Sequence, residues 1–215
     1  MRKVAGAWRF DEAVAQRFDQ EARAHIPNYE LVVRKCVDIA TALYPDKAAA
    51  RILDVGCATG YTLEQLLCVG FTHVYGVDNS QAMLDHSKVT ERLVLSDTVP
   101  AEYGPYDLVL ANWTLHFIDA REEYLASIFD SLNKGGTLVI TEKMEMSPLV
   151  YGQYHHFKRA QGVSQDEVVR KEAAIQGVLT TRPLVWYLET LQKLGFKQTT
   201  VLDASYGFVT LVASK

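Results

Sequence analysis

The sequence predicts a doubly wound α/β fold, in which a mainly parallel seven-stranded sheet carries an antiparallel terminal strand and a helical cover. Three observations lead to this prediction: short apolar runs alternate with amphipathic segments, a glycine loop directly follows the first run, and the last two runs lie close together in the chain. The alternating part contains the predicted strands 51–55, 73–77, 92–95, 106–111 and 137–141. Strands that alternate with helices are typical of βαβ units, whose strands are parallel.

Helices are predicted before and between these strands, at 11–25, 29–43, 62–69, 80–89 and 120–132. In the segment 29–43 the apolar residues recur every three to four positions, which is the period of an amphipathic helix. Ser80 is expected to cap the helix that it precedes. The N-terminal helices within 1–45 and the mostly helical segment 148–194, which should cover the site, are expected to belong to one domain spanning 1–215.

The end of the chain gives the sheet its antiparallel strand. Residues 133–136 are predicted as a turn leading into the strand at 137–141. The predicted strands 199–203 and 208–214 are joined by only four residues, a connection too short for a parallel pair. A parallel sheet that ends in one antiparallel strand resembles the Rossmann-like fold of class I methyltransferases.

Composition limits the kinds of partner. The formal net charge of −4 provides no basic field for nucleic acid, so a small-molecule substrate is expected and no direct nucleic-acid binding. Three cysteines without paired spacing, Cys36, Cys57 and Cys68, indicate free thiols in a reducing compartment. The basic start (residues 1–6) has no apolar stretch behind it, and no run approaches the ~18 apolar residues of a membrane helix. We therefore expect a cytoplasmic protein without a membrane segment.

The most informative segment is Asp54-Val55-Gly56-Cys57-Ala58-Thr59-Gly60, which lies between a buried strand and a helix. Open α/β sheets bind ligands at this end of their strands. Gly56 and Gly60 allow a sharp turn and a close approach of the backbone to a ligand. The second strand ends at Asp78, a carboxylate placed where it can accept hydrogen bonds from both hydroxyls of a ribose.

Three cofactors compete for such a loop. A dinucleotide fingerprint requires G-x-G-x-x-G, but Ala58 and Tyr61 occupy its second and third glycine positions. A phosphate-binding Walker loop requires Gly-Lys-Ser/Thr, which this loop lacks. S-adenosylmethionine (SAM) has no phosphate and needs close backbone approach together with acids, so the pattern fits SAM best. A glycine turn that merely joins strand to helix is the alternative.

Further candidates follow the third and fourth strands. Asp97 is placed to accept from an adenine amino group, although it also suits a simple turn. Asn112 is placed to hold the methionine end of SAM, and the nearby Trp113 and Phe117 are expected to be pocket wall. We expect no metal site, because the adjacent histidines 155 and 156 point ~100° apart on a helix. No catalytic acid or base is identified, and methyl transfer from a sulfonium depends mainly on positioning.

Beyond these patterns, the sequence resembles the carboxy-S-adenosyl-L-methionine (carboxy-SAM) synthases, which act in modification of the tRNA wobble uridine. The resemblance runs from about Phe10 to the C-terminus, and its most specific segments are Asp78-Asn79-Ser80 and Phe157-Lys158-Arg159-Ala160. It implies a dimer that converts SAM and prephenate to carboxy-SAM, with an arginine from the partner subunit holding the new carboxylate. It also implies cofactor contacts at Tyr29, Gly56, Cys57, Ala58, Asp78, Asn79, Asp97, Thr98 and Asn112.

Two positions depart from the family pattern. Lys171 aligns with the carboxylate-binding arginine, and Ala58 replaces a loop serine. A lysine neutralises a carboxylate but lacks the two-pronged guanidinium, so either Lys171 or Arg170 binds the carboxylate or the protein transfers plain methyl groups. Arg170 and Lys171 fit a solvated basic pair equally well. Lys158 and Arg159 could receive an anionic substrate, but one helical turn of cations is more typical of a solvated face.

We therefore predict a SAM-dependent transferase, with methyl transfer to a small-molecule acceptor preferred. Carboxy-SAM synthesis from SAM and prephenate is the alternative. A non-catalytic SAM-binding protein comes third and a nicotinamide-dependent dehydrogenase fourth.

Overall fold

The structure, a computed structural model, describes residues 8–215, so the basic start weighed above as a leader lies outside the described residues. Seven strands form one sheet: β1 Arg51–Val55, β2 His73–Asp78, β3 Leu93–Leu95, β4 Tyr106–Asn112, β5 Leu132–Lys143, β6 Gln198–Ser205 and β7 Phe208–Ser214. Their order across the sheet is β3-β2-β1-β4-β5-β7-β6, and β7 is antiparallel to both of its neighbours. The other pairs are parallel, which confirms the predicted fold class.

Nine α-helices surround this sheet within residues 8–215: α1 Glu12–Ala15, α2 Phe18–His25, α3 Tyr29–Leu43, α4 Tyr61–Cys68, α5 Gln81–Asp85, α6 Arg121–Ser131, α7 Pro148–Ala160, α8 Gln165–Ile175 and α9 Leu184–Leu194. Helix α3 has the bounds that its apolar period predicts. Ser80 caps α5 as predicted, since its hydroxyl accepts from the N–H of Met83. The prediction that this helix reaches residue 89 is wrong, because the Ser87 hydroxyl exchanges hydrogen bonds with the Val89 backbone and ends it early.

Strand β5 is longer than its apolar run predicts. The predicted turn at 133–136 is part of the strand, which accommodates Gly135 at a φ of +80° as an irregularity in its pairing with β4. At its other end β5 continues through Glu142 and Lys143, which pair with Val209 and Phe208 of β7. Strand β5 thereby delivers two charged residues to the carboxyl edge of the sheet.

The core lies on both faces of the sheet. Helices α3 and α4 cover one face, where Cys36, Ala40 and Leu66 are buried against β1 and β4. Helices α6 and α9 cover the other, with Tyr187 among its largest buried side chains. The predicted helical cover at 148–194 is therefore only partly correct, because α9 packs beneath the sheet and only α7 and α8 lie over the site. No helix in residues 8–215 has both the length and the apolar character that crossing a membrane requires.

Candidate active site

A cavity of about 620 Å³ opens at the carboxyl ends of β1, β2 and β4, beneath α2, α7 and α8. This volume lies within the range of small-molecule sites. One part, here called the loop half, is lined by the loop after β1 with Asp54, Asp78 and Asn112. The other part, here called the lysine chamber, is lined by Lys143, Lys158, Lys171, His25 and Tyr154. Both parts belong to the same continuous cavity.

The glycine loop is packed too tightly to carry a side chain at its first turn. Gly56 has a φ of +68°, and its N–H donates to the Val77 carbonyl at 2.7 Å. A Cβ on Gly56 would lie 2.2 Å from the Oγ1 atom of Thr114 in the loop after β4. The backbone of the loop therefore forms the cavity wall itself, as close approach to a ligand requires.

Two carboxyl groups face each other across this loop. Asp78 accepts hydrogen bonds from the backbone N–H groups of Ala58 at 3.0 Å and Ser80 at 2.9 Å. Asp54 is buried, and this burial followed by the charge of Asp78 raises its pKa to about 8, partly offset by a hydrogen bond from Thr62. Burial also raises the pKa of Asp78. Two buried carboxyl groups, one of which has its ionisation disfavoured by the charge of the other, form a site where a positively charged ligand is stabilised.

Asn112 supplies an unused polar atom at the end of β4. Its Nδ2 group contacts the Cys36 Sγ atom at 3.5 Å, whereas its buried Oδ1 atom accepts no hydrogen bond from residues 8–215. Buried acceptors are almost always paired in folded proteins. The Asn112 oxygen is therefore available to a donor on a ligand, such as an ammonium group.

Aromatic rings enclose the loop half. Tyr29 stacks on Trp113 at 4.8 Å and on Tyr61 at 5.8 Å between ring centroids. Trp8 stacks on Phe117 at 5.9 Å. All five rings line the cavity, so the structure places Trp113 and Phe117 in the wall as expected from the sequence. An aromatic wall of this kind excludes water from a reacting centre.

The loop after β4 is held in place by a residue that sequence reasoning missed. The carboxylate of Glu142, fully buried at 0% exposure, accepts hydrogen bonds from three successive backbone N–H groups, those of Thr114, Leu115 and His116, at 2.8–3.0 Å. Its Oε2 atom also lies 2.6 Å from the His116 Nδ1 atom. Glu142 thereby fixes the backbone that carries Trp113 and Phe117.

The lysine chamber as an assembly is the other feature that the sequence did not reveal, although Lys158 and Lys171 were considered there one by one. Lys143 and Lys158 are only 8% and 3% exposed, and their Nζ atoms lie 4.9 and 4.2 Å from the centroid of the Tyr154 ring. Burial lowers the pKa of Lys143 and lowers that of Lys158 to about 8. The expectation that Lys158 lies on a solvated face is wrong, because α7 turns it toward the cavity, whereas Arg159 is exposed and donates to Gln165.

Most residues proposed for the site from sequence line the cavity, namely Tyr29, Asp54, Gly56, Cys57, Ala58, Asp78, Asn79, Asp97 and Asn112. Gly60 and Thr98 do not line it. Gly60 is the N-cap residue before α4. The N–H of the exposed Thr98 donates to Ser96, which lines the cavity instead. Burial raises the pKa of the Cys57 thiol well above its ordinary value, so this thiol is neutral and is no nucleophile.

The two candidate carboxylate-binding residues, Lys171 and Arg170, lie in different places. Lys171 lines the lysine chamber and donates to the Glu21 Oε2 atom at 2.8 Å. Arg170 lies outside the cavity, exposed, with its Nε atom donating to the Asp166 carbonyl. His155, which is next to His156 in sequence, pairs with Glu172 at 2.5 Å. Among the described residues, no cluster of side chains that could hold a metal ion includes it.

Comparison with known sequences gives two results. The profile of a family described as "Methyltransferase domain" matches residues 53–140. Carboxy-S-adenosyl-L-methionine synthases match almost the whole chain: that of Helicobacter hepaticus is 30% identical, over 99% of this chain and 96% of its own length. That of Alteromonas mediterranea is also 30% identical, over 97% of this chain and 93% of its own length.

Comparison with solved structures identifies the same type of fold. A magnesium protoporphyrin IX methyltransferase from Synechocystis with bound S-adenosylhomocysteine superposes with a TM-score of 0.69 at 15% identity, covering 96% of each chain. The same enzyme with bound SAM gives a TM-score of 0.62 at 14% identity, covering 99% of this chain and 100% of its own. At such low identity the similarity demonstrates the class I methyltransferase fold and nothing about the substrate.

Proposed function

Since the chain belongs to the carboxy-S-adenosyl-L-methionine synthase family and is a SAM-dependent transferase, we propose that it converts SAM and prephenate to carboxy-SAM, phenylpyruvate and water. The carbon dioxide lost by prephenate forms a bond to the cofactor's methyl carbon, and the hydroxide lost with it takes up the proton that this carbon releases. The methyl transfer preferred from the sequence has less support than this alternative. Methyl transfer is favoured by the replacement of an arginine by Lys171 and of a loop serine by Ala58, but Lys171 shares the chamber with two other lysines.

The loop half fits SAM on the structure's own terms. When bound, SAM supplies a sulfonium whose positive charge activates the attached methyl carbon. Gly56, Cys57 and Ala58 line the cavity, so a ligand there would lie against the backbone of the loop, and the carboxyl groups of Asp54 and Asp78 favour a cation. Asp78 would hold the ribose hydroxyls, Asp97 the adenine amino group and the unpaired Asn112 oxygen the ammonium group.

The observation that carries the proposal is the continuity of the loop half with the lysine chamber. Prephenate bears two carboxylates, and buried lysines stabilise carboxylates strongly because little water competes for them. Lys143, Lys158 and Lys171 line the same cavity as the cofactor residues. They would place an anionic co-substrate beside the activated methyl carbon, and such positioning supplies much of the rate enhancement in a two-substrate reaction.

The test is direct mass analysis of the cofactor product. The purified protein is incubated with SAM and prephenate, and a second reaction omits prephenate as the control. We expect a cofactor heavier by one carboxyl group, formed only when prephenate is present and in step with its consumption. S-adenosylhomocysteine formed with a small acceptor, without the heavier cofactor, would refute carboxy-SAM synthesis. Tight SAM binding without any turnover would support the non-catalytic alternative.

Methyl transfer to a small anionic acceptor is the second candidate, and one pair of observations favours it. Ala58 lacks the hydroxyl of the family's loop serine, and Lys171 is paired with Glu21 rather than free. The lysine chamber would serve an anionic acceptor equally well. The product mass distinguishes the two reactions.

A further inference from the structure

The three lysines of the chamber differ in how far the protein itself neutralises them. Lys171 donates to the Glu21 carboxylate at 2.8 Å, and both side chains are half-buried. Its charge is therefore matched by a partner on α2. An ammonium group already held in an ion pair gains less from a second anion than an unpaired one does.

Lys143 is in the opposite situation. In residues 8–215 no carboxylate lies within 4 Å of its Nζ atom, and that atom donates no hydrogen bond there. Its neighbours are the rings of Tyr154 and Tyr151, the latter at 5.6 Å. A largely buried ammonium group without a carboxylate partner is costly, and the ring faces offset only part of that cost. A ligand that supplies the missing negative charge would remove this cost.

Lys158 is only partly neutralised. Its Nζ atom lies 3.4 Å from the Glu172 Oε1 atom, and the same oxygen is 2.5 Å from the His155 Nε2 atom. The charge of Glu172 also raises the pKa of Lys143, against the effect of burial. One carboxylate thus serves two lysines and a histidine, which leaves the Lys143–Lys158 pair with excess positive charge.

His25 adds a hydrogen-bonding group beside this pair. It is only 6% exposed, and neither ring nitrogen has a hydrogen-bond partner among residues 8–215, although its Nε2 atom lies 3.6 Å from the Glu167 Oε1 atom. Burial, followed by the charges of Lys171 and Lys158, lowers its pKa to about 4, so the ring is neutral near pH 7 and has one N–H to donate. Tyr154 is not equally available, because its hydroxyl donates to the His25 carbonyl at 2.9 Å.

We infer that Lys143 and Lys158, assisted by His25 and within a single chain, form the subsite that binds a carboxylate of the co-substrate, while Lys171 is structural. The inference rests on the proposed function in placing the anion beside SAM. The chamber's remaining lining includes the apolar side chains Ile175, Leu179 and Phe208. The ligand class is accordingly a small organic carboxylate with an apolar body.

The test compares three single variants, Lys143→Met, Lys158→Met and Lys171→Met, with Arg159→Met as the matched control on the exposed side of α7. Prephenate is titrated into each full-length protein saturated with S-adenosylhomocysteine, and binding is followed by tryptophan fluorescence, since Trp113 lies in the cavity wall. The first two substitutions should each weaken prephenate about tenfold to a hundredfold, the loss expected for a charged hydrogen bond. Lys171→Met should weaken it less than about threefold, and Arg159→Met not at all.

Two further measurements keep the result interpretable. SAM affinity, measured by calorimetry, should be unchanged in Lys143→Met and Lys158→Met. Thermal unfolding of Lys143→Met should occur at a higher temperature than in the wild type, because the change removes a buried cation without a partner. A lower unfolding temperature would contradict the statement that Lys143 is uncompensated and would overturn the inference.

The outcomes separate the subsite from the proposed function. If Lys171→Met has the largest effect, or if Lys143→Met and Lys158→Met bind prephenate normally, the subsite is assigned wrongly. If the wild type does not bind prephenate but binds phenylpyruvate, and the Lys143 and Lys158 variants weaken that binding, the subsite is supported and carboxy-SAM synthesis is refuted. If the wild type binds neither anion, both fail.

Discussion

Replacing Gly56 by alanine tests the close packing of the cofactor loop. The left-handed backbone at this position, with a φ of +68°, costs a residue that has a Cβ about 1–2 kcal/mol. The new methyl group would also lie 2.2 Å from Thr114 Oγ1 and 2.6 Å from Thr114 Cγ2, well inside van der Waals contact. Overpacking of this kind costs about 1–3 kcal/mol more. We therefore expect Gly56→Ala to destabilise the fold by about 2–5 kcal/mol in total.

The chain provides a matched control for the backbone part of this cost. Gly135 has a φ of +80°, but a Cβ there would meet nothing within 4 Å. Gly135→Ala should therefore cost only about 1–2 kcal/mol. Thr114→Ala, combined with Gly56→Ala, removes the clashing Oγ1 and Cγ2 atoms and should recover part of the difference in a double-mutant cycle.

The measurement is urea unfolding, followed by circular dichroism, of the wild type, the two single variants of the cycle, their double variant and Gly135→Ala. SAM affinity is determined on those that remain folded. Gly56→Ala should also weaken SAM, whereas Gly135→Ala, on the exposed side of β5, should not. Equal stability losses for the two alanine variants would show that the loop is not packed against Thr114.

Three further changes probe the acids around the site. Asp78→Ala should weaken SAM by about 1–3 kcal/mol in calorimetry, and unchanged affinity would mean that the ribose lies elsewhere. Because the pKa of Asp54 is raised to about 8 and a cationic ligand favours its ionised form, SAM affinity should rise as the pH increases toward about 8 and level off above it. Asp54→Asn should abolish that rise, and a rise that persists would assign the titration to another group. Glu142→Gln leaves one acceptor oxygen for three backbone N–H groups, so stability should fall by about 1–3 kcal/mol and amide exchange at 114–116 should accelerate; unaltered exchange there would contradict its positioning role.

The sheet and most helices follow from the sequence because local patterns encode them. The apolar period of α3 and the cap at Ser80 depend on residues a few positions apart, and both are found where the sequence places them. Element ends were less predictable where a side chain competes with the regular hydrogen bonds, as Ser87 does after α5. Similarly, the charged end of β5 is invisible to an apolar pattern, although its pairing with β7 continues to Lys143.

The loop half was predictable for the same reason, since its strand, glycine turn and strand-terminal acid lie in one short stretch of chain. The lysine chamber was not, because its members come from α2, β5, α7 and α8 and only the folded chain brings them together. A lysine in a sequence is normally interpreted as solvent-exposed. For this reason the sequence did not predict that Lys143 and Lys158 are buried in the cavity. The choice between methyl transfer and carboxy-SAM synthesis was therefore based on Lys171 and Ala58 and not on the three lysines together.

The cover over the cavity consists of two segments that are far apart in sequence, α2 and α7–α8, and two polar contacts connect them. The Tyr154 hydroxyl on α7 donates a hydrogen bond to the His25 carbonyl at the end of α2, and Lys171 on α8 forms an ion pair with Glu21 on α2. Entry between α2 and the α7–α8 segment would give both reactants the same route into the cavity. Lys171→Met removes one of these two contacts. It should therefore raise the association and dissociation rates of both reactants together and shorten their residence times, while their equilibrium affinities change little.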